Sequence, residues 1–209
     1  MRYEWRFVMA GSALTIVFLM VVNFLTTTHY PWFIYPSVLL LLLPLGIYSL
    51  IAKKQTLFSL VGSFVLSIVL LLENYINTPN YPWFLYAVAP LILWPVLVLL
   101  GKRNGSMLVA ATISILFILY YVLLNIYLAP SYPWSIFPAF VILWWPLSVF
   151  HAKRKSYFAF SIQATLFISL FFISINIFFS PTEIWAIYPI FAVLWWPLSM
   201  FYFNKRRSA

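Results

Sequence analysis

Apolar residues run through this chain in long stretches broken by short polar or aromatic turns, and the whole pattern returns every 51 residues. Asn23, Asn74, Asn125 and Asn176 are 51 apart, as are Trp32, Trp83, Trp134 and Trp185, and Pro44, Pro95, Pro146 and Pro197. Three columns keep one register without an insertion or deletion, so four units, near 2–52, 53–103, 104–154 and 155–205, account for 204 of the 209 positions. An internal repeat of this kind fixes architecture before any local assignment is made. Each unit holds two apolar stretches of roughly 19 to 23 residues, enough to cross a hydrocarbon core of about 30 Å as a helix rising 1.5 Å per residue. The predicted spans are 7–25, 32–52, 57–76, 83–101, 107–128, 134–152, 157–179 and 185–203.

The expected fold is therefore all-α: one integral membrane domain over 1–209, with eight transmembrane helices arranged as four tandem hairpins. An even number of spans per unit makes successive hairpins point the same way. Any pseudo-four-fold axis then lies along the membrane normal, unlike the in-plane axis of inverted repeats. A closed ring and an open arc of hairpins both satisfy this pattern. The first span carries the repeat's own Asn23 and no small-residue cleavage site, so it reads as a retained helix and not a signal peptide.

Composition fixes the solvent. Hydrophobic residues are 65% of the chain and charged residues 7%, against about a quarter charged in soluble domains. The twelve Lys and Arg fall at Arg2 and Arg6, Lys53-Lys54, Lys102-Arg103, Lys153-Arg154-Lys155 and Lys205-Arg206-Arg207, and the turns at 26–31, 77–82, 129–133 and 180–183 contain none. Short basic loops stay cytoplasmic, which predicts a bacterial cell-membrane protein with both termini inside. The formal charge of +9 then forms a collar facing anionic lipid headgroups. No basic segment is long enough to track a phosphate backbone, so nucleic acid is not an expected partner.

Two further columns carry polarity or strain. Ser12, Ser63, Ser114 and Thr165 each precede a repeat Asn by 11 residues, a spacing that puts hydroxyl and amide on one helix face. Such groups either join helices by hydrogen bonds or line a polar path. Gly11, Gly62 and Ala164 beside the hydroxyls would allow close backbone approach. Pro44, Pro95, Pro146 and Pro197 each remove a backbone donor and should kink the even-numbered helices, with Trp94, Trp144-Trp145 and Trp195-Trp196 packed beside them. Tyr30-Pro31-Trp32, Tyr81-Pro82-Trp83 and Tyr132-Pro133-Trp134 mark helix starts at the membrane interface, degenerating to Glu183-Ile184-Trp185 in the fourth unit.

Catalytic chemistry is sparse. The only acids are Glu4, Glu73 and Glu183, so the paired carboxylates of acid–base catalysis are missing. Glu73 is a candidate functional acid, because a carboxylate inside a span has a functional reading by default, although its closeness to a turn also suits an exposed group. His29 and His151 fall on opposite sides of the predicted bilayer, and there is no cysteine. No metal, cofactor or catalytic triad is expected. Gln163 reads as a polar contact within the bundle.

The order Asn125, Pro133-Trp134, Pro138, Trp144-Trp145-Pro146-Leu147, His151 resembles the bacterial 2TM domain, a pair of membrane helices found alone or attached to signalling modules such as sensor kinases. That resemblance implies a membrane-embedded signalling or accessory role and supplies no catalytic residue. Two function classes remain: a non-enzymatic regulatory, accessory or scaffolding subunit with a membrane protein partner, or a small channel or transporter of lipids or small molecules.

Overall fold

The computed structural model describes the backbone of residues 2–27 and 29–207 and the side chains of 5–27 and 29–203. The side chains of Arg2, Glu4, Lys205, Arg206 and Arg207, singled out above for charge, lie outside the described residues. Among those described, the chain forms eight α-helices and no strand: α1 (Arg2–Thr26), α2 (Ile34–Ile51), α3 (Gln55–Asn77), α4 (Leu85–Leu100), α5 (Met107–Leu128), α6 (Ile136–Arg154), α7 (Tyr157–Phe179) and α8 (Ile187–Arg207). A 3-10 turn, Gly101–Gly105, continues α4. Among the described residues, seven helices are long and apolar enough to cross a membrane, and the apolar part of α8, Ile187–Phe203, is shorter.

The fold divides into two compact units, Met1–Gly101 and Lys102–Ala209, each holding two repeats. In the first, α1 packs along α2 and α3 along α4, while α2 meets α3 through a smaller joint. In the second, α5 packs along α6 and α7 along α8, with α6 and α7 forming the smaller joint. Each odd helix is thus most closely partnered by the helix that follows it.

Burial is inverted relative to a water-soluble domain. Small and amide side chains are inside, including Ser59, Ser114, Ser161 and the four repeat asparagines, while Phe7, Phe18, Leu108, Val141 and Leu170 face outward. In water this would cost the hydrophobic driving force. In lipid it is the expected arrangement, because polar groups there must find partners within the protein and small residues let helices approach.

The bounds of α5 and α7 are those expected and α3 lies within two residues of them, whereas α1 begins five residues earlier and α2, α4, α6 and α8 each begin two residues later than expected. Prolines 31, 82 and 133 were expected in the first helical turn, yet α2, α4 and α6 begin at Ile34, Leu85 and Ile136. The intervening residues form a tight turn instead, with the Trp32 amide donating to the Tyr30 carbonyl at 2.9 Å and the Trp83 and Trp134 amides repeating this at 2.8 Å. The helix start is set by a side chain from the preceding helix, described next.

Candidate functional site

Each repeat asparagine closes its own hairpin. Asn125 sits in the last turn of α5 and is buried. Its Nδ2 donates to the carbonyls of Ala129 at 2.7 Å and Tyr132 at 2.9 Å, and its Oδ1 accepts the amide of Ser135 at 2.8 Å. Ser135 is the N-cap residue of α6. One amide side chain therefore serves the carbonyl beyond α5, the turn, and the first orphan N–H of α6, the three kinds of backbone group that helix ends leave unmade.

The same three bonds recur in every unit. Asn23 donates to Thr27 and Tyr30 and accepts from Phe33; Asn74 donates to Thr78 and Tyr81 and accepts from Phe84; Asn176 donates to Ser180 and Glu183 and accepts from Ala186. The fourth copy keeps them although its Tyr-Pro is lost, because the acceptors are backbone carbonyls that any residue supplies. Both Nδ2 protons are used each time.

The hydroxyl and proline columns are coupled. Thr165 on α7 donates its Oγ1 proton to the carbonyl of Val193 at 3.2 Å, and Ser114 on α5 donates to the carbonyl of Ile142 at a longer 3.4 Å. Ile142 and Val193 stand four residues before Pro146 and Pro197. These are the carbonyls a proline orphans by lacking an N–H, and a neighbouring Ser or Thr is a known way to satisfy them in lipid. In the first unit Ser12 and Ser63 are buried at equivalent positions, and the Ser63 Oγ has no hydrogen-bond partner. There Trp94 crowds α3: a Cβ on Gly62 would lie 2.8 Å from its ring, so Gly62 is needed for close approach. Pro44, Pro95, Pro146 and Pro197 all lie within continuous helix.

The joints between hairpins differ in the two units. In the first, Tyr35 on α2 donates its hydroxyl to the carboxylate of Glu73 on α3, and Asn77 donates to the same carboxylate. The Tyr35 proton being spent, the Tyr30 hydroxyl donates to Tyr35. Glu73 thus fastens the joint at its turn end. In the second unit, buried His151 on α6 bonds through Nε2 to Gln163 Oε1 on α7 and through Nδ1 to Ser156 Oγ, both at 2.8 Å. The amide oxygen of Gln163 only accepts, so the Nε2–H of His151 donates to it. This joint is fastened at its basic end. His29 is exposed and is not brought to any of these groups.

Tyr35 carried a partial signal, recurring as Tyr86 and Tyr188 with Phe137 between them, whereas Asn77 and Ser156 have no like residue at the repeat spacing. An apolar groove of about 590 Å³ runs beside the second joint, lined by Leu143, Pro146, Leu147 and Phe150 of α6, with Met107 and Gln163. Among the described residues no three His, Cys, Asp or Glu gather where they could hold a metal. No family model matches the chain, and no curated protein or solved structure matches it.

Proposed function

We propose that this chain is a non-enzymatic, multi-pass cell-membrane protein that serves as a regulatory, accessory or scaffolding subunit for a membrane protein partner. On this reading all eight helices span a bacterial membrane as four like-oriented hairpins, related by a pseudo-four-fold axis along the membrane normal. Both termini and the basic linkers face the cytoplasm, as short Lys- and Arg-rich loops do. The likeness to the 2TM domain fits such a role.

One observation carries the proposal: the repeat asparagines spend their amide groups on their own hairpin. A conduit needs polar groups with free valence along a wetted route, usually charged rings or exposed carbonyls. Here the amides are consumed by turns, and two of the four hydroxyls serve proline-freed carbonyls. Glu73, the one acid in the middle of the sequence, is occupied by Tyr35 and Asn77.

The test is functional reconstitution. Purified protein in liposomes should give no ion flux above protein-free vesicles, and deletion in the cell should change the behaviour of a co-purifying membrane protein without abolishing uptake of a solute. Robust flux that disappears in Glu73→Gln or Asn125→Leu would replace this reading with the channel or transporter.

A further inference from the structure

We infer that the groove between α5, α6 and α7 is a specific site for one anionic phospholipid, its acyl chain lying along α6 and its phosphate held by Arg154. The inference depends on membrane embedding and not on the accessory role.

The groove is apolar for most of its length and ends at a cation. Leu143, Leu147 and Phe150 line it, and Arg154 continues the same helical stripe one turn further on. The Arg154 guanidinium lies 4.1 Å from the centre of the Phe150 ring, a cation–π contact that holds it at the groove's end. Gln163, the polar lining residue, has its oxygen bound to His151, which leaves its NH₂ as a donor. An open apolar groove of about 590 Å³, within the usual range for small-molecule sites, thus has one positive charge resting on the ring of its lining residue Phe150. That is the complement of an amphiphile with an anionic head.

No carboxylate of the same unit competes. Its one acid, Glu183, precedes α8 at the opposite end of α7, about 30 Å away along that helix. Lys153 and Lys155 flank Arg154 and are exposed, adding to the field that draws a phosphate.

The first unit supplies an internal control. Two repeats before Met107 stands Trp5, whose ring lies 5.7 Å from that of Tyr48, the counterpart of Phe150. The Trp5 indole donates to the Pro44 carbonyl at 2.8 Å, and Pro44 is the counterpart of Pro146. Where the protein lays its own amphipathic ring at this place, Ala52 stands in the position of Arg154, with Lys53 and Lys54 following it. The plugged copy thus lacks the one cation that sits on the groove's aromatic ring in the open copy, as expected if the open version takes a charged guest.

Native mass spectrometry of the full chain tests this, with dioleoyl phosphatidylglycerol, dioleoyl phosphatidylcholine or inorganic phosphate as probes. Wild type should retain one phosphatidylglycerol in preference to phosphatidylcholine. Arg154→Gln should weaken that binding about fivefold, the value of one cation at a membrane surface. Leu147→Trp should fill the slot and weaken it at least as much, while Lys54→Gln leaves it unchanged. Melting curves on every variant separate lost lipid from lost fold. Phosphate displacing the lipid, equal retention of phosphatidylcholine, or undiminished binding in Leu147→Trp would each overturn the site. So would a protein adduct at Leu147→Cys, the only thiol in that variant, on crosslinking in native membranes, because a partner helix would then occupy the groove.

Discussion

The joint between α2 and α3 and the joint between α6 and α7 hold equivalent helices two repeats apart, yet they are fastened at opposite ends. In the first unit the fastening is Tyr35 to Glu73 beside the turns. In the second the equivalent positions are Phe137 and Ile175, and Phe137 instead stacks on Phe179 at 5.8 Å and meets Phe171 edge-on at 6.0 Å. At the basic end the roles reverse. His151, 3% exposed, binds Gln163 and Ser156, whereas the first unit has Ser49, Val61 and Lys54 in those places. One polar bridge per joint suffices; in the second unit the unbridged turn end packs rings, and the groove lies at the bridged basic end, with Gln163 in its lining.

The difference teaches where the repeat tolerates change. Hairpin closure by asparagine is kept in all four units, because each copy must satisfy its own helix ends wherever it sits. Joint chemistry belongs to pairs of copies and has drifted. The polar contacts that distinguish the two units therefore include those of the joints.

Breaking the second joint should give the largest stability effect. His151→Leu removes both bonds of a buried ring and strands the Ser156 hydroxyl, costing about 2 kcal/mol, read as a lowered melting temperature in detergent. Ser49→Leu at the matching place of the first unit should cost clearly less, its hydroxyl bonding only within its own helix, to the Gly46 carbonyl. Equal losses would mean the two joints are not fastened differently.

A smaller effect sharpens the same contrast at the turn end. Tyr35→Phe gives the first unit the second's residue, deleting one hydrogen bond to Glu73 at a cost of about 1 kcal/mol. Glu73→Gln in that background should add little, since the pair would already be uncoupled. Additive losses in this double-mutant cycle would show that the bond carries no energy.

Much of this was legible in the chain. An all-α fold of long apolar helices was readable from composition and length, and α5 and α7 fall where length and hydropathy put them. The partners of Asn23, Asn74, Asn125 and Asn176 were hidden because they are backbone groups, which leave no trace in composition. Their effect on the even helices, whose starts they fix at Phe33, Phe84 and Ser135, was hidden with them. The link from Ser114 to Pro146 and from Thr165 to Pro197 was readable in principle: hydroxyl and proline keep one separation in every unit, and the orphaned carbonyl is always four residues before the proline. His151 with Gln163 was not, since neither belongs to a column. Nor could periodicity reveal that Met107 leaves open what Trp5 closes.

The central claim is that the repeat's amides serve its own backbone, and amide hydrogen exchange on Asn125→Leu tests it most directly. The account predicts that the Ser135 amide, protected in the wild type through Asn125 Oδ1, becomes fast-exchanging. The Phe33, Phe84 and Ala186 amides should keep their protection, and liposomes carrying the variant should stay as tight to ions as those carrying wild type. A Ser135 amide that remains protected, or a change in permeability at unchanged protection, would contradict it.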